Sequence, residues 1–165
     1  NKMFSNKINK KVVFFSLLLC VGTQQAVAAQ DQITHANMEV TLEVLKSCSF
    51  TADKMDFGQH KSDEGNSLQA SSNLNIVCTK NTPFSITTAS SDLSMKPVSG
   101  EGEKINFELY TDNNNSSPVS NSAALSGTGT GEAQTLTLWG KVPATELAKA
   151  SAGKYQGNVT LNMLY

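Results

Sequence analysis

The chain has 165 residues, with 13 Lys+Arg against 14 Asp+Glu and a formal net charge of −1. That length suits one domain and leaves no room for a second full catalytic one. There is no Arg at all, which excludes a phosphate-reading nucleic-acid surface, and 39% hydrophobic residues is too many for disorder and too few for a multispanning membrane protein.

Lys2, Lys7, Lys10 and Lys11 come first, then an apolar run over 12–21, then Ala26-Val27-Ala28-Ala29. A positive head, a short apolar stretch and an A-x-A site, in that order, read as a secretory signal peptide over 1–28, with cleavage after Ala28 or Ala29. The apolar run is about half of what a spanning helix needs. Cys20 leaves with the signal. Four lysines leave too, so the mature chain carries nine against 14 acids, a charge of −5.

An extension over 30–37 follows, with Ile33 as its apolar residue. Met38, Val40, Leu42 and Val44 then alternate with Glu39, Thr41, Glu43 and Leu45. Alternation with a period of two argues a strand with one buried face. The same pattern recurs at Leu74, Ile76 and Cys78, at Phe84 and Ile86, at Ile105, Phe107 and Leu109, at Leu136 and Leu138, and at Val159, Leu161 and Met163. Turn-formers separate these runs at 62–66, 99–102, 112–118 and 126–131. Only 144–152, after Pro143, has helical character, enough for one turn at most. The pattern predicts an all-β sandwich or barrel.

Cys48 and Cys78 are the two cysteines left after cleavage, and an even count in an exported chain reads as a disulfide. The bond closes a loop that stabilises the fold by roughly 3–4 kcal/mol in the chain-entropy model.

The chemical readings are poor. Gly127-Thr128-Gly129-Thr130-Gly131 lacks the Gly-Lys-Ser/Thr of a phosphate loop. The stretch from Asp112 lacks the sixth-position Gly of a calcium loop and has Ala123 where its bidentate Glu belongs. His35 and His60 stand alone in polar stretches, and Glu101 and Glu103 flank a loop Gly. Trp139 reads as a packing residue of a strand. No catalytic set, metal site or cofactor is expected, and the chain is not read as an enzyme.

A sandwich finishes either by pairing its last strand or by leaving an edge open, and the residues alone allow both. An open apolar edge must be covered, and β-strand addition by another copy's N-terminal extension is one way to cover it.

Certain residues, read together, carry a family likeness. They are Cys48-Ser49-Phe50, Phe57-Gly58, Leu74 to Cys78, Ile105 to Asp112, Trp139-Gly140-Lys141-Val142-Pro143, and the ending from Ala152-Gly153-Lys154-Tyr155 to Tyr165. In that order, behind a signal peptide, they resemble the spore coat protein U domain, the fold of subunits in archaic (Csu-type) chaperone–usher pili. Gly157-Asn158 departs from the acidic residue that members often carry there.

The resemblance implies an incomplete immunoglobulin-like β-sandwich that lacks its last strand and is completed by donor-strand complementation. It implies a donor segment over 29–45, with Ile33, Met38, Val40, Leu42 and Val44 as its apolar residues, running into the first strand of a pilin domain over 46–165. The acceptor-groove wall would hold Tyr155, Val159, Leu161, Met163 and Tyr165. Implied partners are a periplasmic pilus chaperone, an outer-membrane usher and neighbouring pilin subunits, in a homo- or hetero-polymer. The chain would cross the periplasm to a cell-surface fimbria serving adhesion and biofilm formation. The rival expectation is a self-contained secreted β-sandwich acting as a binding or coat protein.

Overall fold

The structure, a computed structural model, describes residues 26–165. The signal-peptide reading over 1–28 therefore lies almost wholly outside the described residues. The chain divides into two units, one reaching Thr41 and one spanning Leu42–Tyr165. Over 26–47 there is neither helix nor strand.

Within the second unit eleven strands and one short helix form in chain order. They are β1 (Cys48–Ala52), β2 (Leu68–Cys78), β3 (Pro83–Thr88), β4 (Ser94–Pro97), β5 (Ile105–Asn106), β6 (Glu108–Tyr110) and β7 (Pro118–Val119). Then come β8 (Leu125–Thr128), β9 (Ala133–Val142), α1 (Ala144–Ala148), β10 (Tyr155–Gln156) and β11 (Leu161–Leu164). The fold is all-β and antiparallel throughout, and α1 is the single helical turn that the stretch after Pro143 predicts.

One layer is a five-stranded sheet in the order β1-β2-β9-β6-β7. Its spine is the long β2–β9 ladder, in register from Leu68↔Val142 to Val77↔Ala133. The second layer consists of two short sheets, β10-β4-β5 and β11-β3-β8. These are successive stretches of the same chain passes, because β3 leads to β4 and β10 to β11. The Ala89 N–H donates to the Thr160 carbonyl at 2.8 Å across the break. Gly157 sits at that break against the Ser94 carbonyl, in a space with no room for a Cβ.

The alternation in the sequence becomes burial. In β2, Leu74, Ile76 and Cys78 point inward while Asn73, Asn75 and Val77 point out. Phe84 and Ile86 of β3, Ile105 of β5, Leu109 of β6, Leu125 of β8 and Leu138 and Val142 of β9 meet them in one core. Fourteen buried apolar side chains form this cluster. At roughly 1.5–3 kcal/mol for each large side chain, their burial is the main force holding the two layers together.

One periodic run does not become a strand. Met38, Val40, Leu42 and Val44 are between 71% and 87% exposed and have no β partner among the described residues. A period of two marks a face fit for burial, but the surface that buries it must come from elsewhere. The first strand begins only at Cys48.

Candidate functional site

Two kinds of edge border the site. β1 ends the first sheet, and β11 is hydrogen-bonded on one side only, to β3, among the described residues. Between these edges lies a groove of about 1450 Å³. Its base is apolar and comes from Leu74 of β2, Leu109 of β6, Leu138 and Val142 of β9, and Phe107 between β5 and β6. One wall is built by Tyr155, Val159 and Leu161 along the β10–β11 pass. The other is the loop over 53–63, which carries Met55 and Phe57.

The loop wall is tightly organised. The Asp53 N–H donates to the Asn73 carbonyl at 2.9 Å, extending the β1–β2 pairing by one residue. The Ser72 hydroxyl, buried in the core, donates to the Asp53 carbonyl at 2.5 Å. From there the chain turns inward. Met55 and Phe57 pack over Gly140, where a Cβ would strike both, and the Phe57 ring lies 6.3 Å from that of Phe107. Gly58 follows with φ +80°, a left-handed conformation that glycine adopts without a Cβ clash.

Beyond it the chain folds back on His60. The Asp56 carboxylate accepts from the Gly58 N–H at 2.9 Å and lies 3.6 Å from Lys54, and both interactions lower its pKa. Glu64 accepts from the Lys61 N–H at 2.7 Å with one oxygen and meets His60 Nδ1 at 3.0 Å with the other. These contacts lower the Glu64 pKa, the Lys61 N–H contributing most, and the same carboxylate raises that of His60.

The expected wall residues divide. Tyr155, Val159 and Leu161 line the groove, and the Tyr155 hydroxyl donates to the Ser151 carbonyl at 2.8 Å. Met163 packs against the core from β11 but lies outside the groove lining, and Tyr165 is exposed beyond the end of β11. All five expected donor residues are exposed: Ile33, Met38, Val40, Leu42 and Val44. Leu45, equally exposed, joins them out of phase. Met55 is a wall residue that periodicity missed, because it belongs to a loop and to no alternating run. Phe57 entered only through the Phe-Gly likeness.

Cys48 and Cys78 form the disulfide, with Cα atoms 4.2 Å apart, and they are register partners in the β1–β2 ladder. Among the described residues no group of three His, Cys, Asp or Glu side chains is placed to hold a metal ion. His35 and His60 lie in separate parts of the chain, and His60 is engaged within its own loop.

A sequence profile of the Spore Coat Protein U domain matches residues 34–162. The chain belongs to that family. No curated protein matches it. Among solved structures it resembles a chain in the crystal structure of the CsuC–CsuE chaperone–tip adhesion subunit pre-assembly complex, from the archaic chaperone–usher Csu pili of Acinetobacter baumannii. The TM-score is 0.53 at 20% identity, over 74% of this chain and 40% of that one. The likeness is one of fold, and this chain spans less than half the length of its counterpart.

Proposed function

We propose that the chain is a structural subunit of a surface fimbria assembled by the chaperone–usher route through donor-strand exchange. The observation that carries this is a pair of unfinished surfaces in one polypeptide. Among the described residues β11 has a free edge beside a groove with an apolar base, and an alternating apolar run over 38–44 lies exposed with no strand partner. Family membership supports the reading. The sandwich lacks its last strand, and the segment over 29–45 of a neighbouring subunit supplies it by adding to β11. Residues 1–28 are the export signal and 46–165 the pilin domain.

A periplasmic chaperone fills the groove first, and an outer-membrane usher oversees the exchange for the next subunit. The fibre serves adhesion and biofilm formation at the cell surface, and the chain has no catalytic role. Burying four or five donor side chains contributes roughly 6–15 kcal/mol before ordering costs, enough for a joint without covalent bonds.

Deleting 30–37 together with 38–42 should abolish polymer formation while the truncated subunit still co-purifies with its chaperone. A truncated chain that still polymerises overturns the donor assignment. A full chain that folds alone as a stable monomer favours a self-contained binding or coat protein.

A further inference from the structure

His60 closes the loop wall of the groove with both ring nitrogens. Nε2 lies 2.6 Å from the Phe57 carbonyl oxygen, and Nδ1 lies 3.0 Å from Glu64 Oε2. A carbonyl and an ionised carboxylate only accept hydrogen bonds. A neutral imidazole carries one N–H, so one of these contacts would then set a lone pair against a lone pair. Only the imidazolium donates to both at once, so the closed loop selects the protonated ring. Phe57, whose carbonyl is held, is also the residue whose ring covers Gly140 of β9.

We propose that His60 is a proton-operated clasp: protonated, it holds the Phe57 turn closed over one end of the groove, and neutral, it frees that turn so that an entering strand is accepted faster. The groove's role as a strand acceptor rests on the function proposed above; the clasp itself does not.

Glu64 is the charged group acting directly on His60, and Lys61 acts in turn on Glu64. The other charged groups on the groove are Asp53, Lys54, Asp56 and Asp63 on the same loop and Lys154 on the β10 side. His60 and Glu64 are each about one-third exposed, so the clasp is reached by solvent protons without unfolding. The ring's pKa is raised from 6.5, so the clasp is complete below that value and is lost as the pH rises through the higher one.

Two measurements on the full chain bound to its chaperone test this. Hydrogen exchange over 55–64, corrected for intrinsic rates, should be slower at about pH 5.5 than at about pH 8 in the wild type, with the difference gone in His60→Gln and Glu64→Gln. Uptake of a synthetic peptide of residues 30–45 should be roughly two- to fivefold faster at the higher pH, the size of an exposed ion pair, and pH-independent in His60→Gln. Equal protection of 55–64 at both pH values overturns the clasp. A pH-dependent loop with pH-independent uptake overturns its coupling to the groove. A peptide that no variant binds at either pH overturns the strand-acceptor reading, while the exchange data still judge the clasp.

Discussion

Gly140 shows how a single residue sets the shape of the groove. It stands near the C-terminal end of β9, opposite Ala70 of β2 and Leu109 of β6, and its missing side chain leaves the space that Met55 and Phe57 fill. Gly140→Ala puts a Cβ into that space and should destabilise the fold by about 1–3 kcal/mol, the usual size of overpacking. The check is a urea midpoint that falls while the slope stays constant. The disulfide acts at the same scale. Cys48→Ser should remove roughly 3 kcal/mol, the entropy of closing its loop, and cut export yield; unchanged stability and yield would count against a structural role. The cysteine pair was legible from number and compartment alone. Gly140 was not, because a glycine in a strand does not say which distant loop comes to cover it. The partners of His60 were not legible either, since the carbonyl and carboxylate that meet it are brought there by turns that no periodicity records.

At the scale of elements, β2, β3, β6 and β9 could be read before the fold was known, because each carries its own inward and outward faces. The final run was read from Val159, and β11 forms within it, but the structure adds a short β10 ahead of that run, with Gly157 pressed on Ser94 between the two strands. That break is a packing event between strands and leaves no periodic signal. The segment over 38–44 reads as a strand and forms none, since its pattern specifies a face and leaves the partner unstated. Replacing Leu161 by Asp places a charge on the groove wall and should suppress peptide uptake at least about tenfold, because a buried unpaired charge is costly. Leu164→Asp, on an exposed position of the same strand, should leave uptake unchanged; equal losses from both would mean that β11 matters only for folding.

For the molecule as a whole, charge sets the pH range of stability. Asp56, Asp92, Asp112 and Glu146 all have lowered pKa values, caused first by the Gly58 N–H, Lys104, Ser116 and the Asn106 N–H respectively. Each therefore contributes stability that is full above its unfolded value, 3.8 for Asp and 4.5 for Glu, and lost as the pH falls through the lower folded one. Tyr110 runs the other way. Its hydroxyl donates to Glu108 at 2.6 Å and its pKa is pushed up to about 12, so its contribution is present at neutral pH and lost in strong alkali. Urea midpoints should drop below about pH 4 as these carboxylates protonate, and ease down only slightly as the pH rises past the raised His60 value; a midpoint that rises on acidification below about pH 4 would contradict the carboxylate assignments. The position of the disulfide has a mechanical corollary. Residues 26–46 precede Ser47, which is hydrogen-bonded to Thr79, and Cys48, whose sulfur is bonded to the end of β2. A pull on that leader therefore passes through a covalent link into the longest strand of the larger sheet, and β1 is spared from being peeled off one rung at a time.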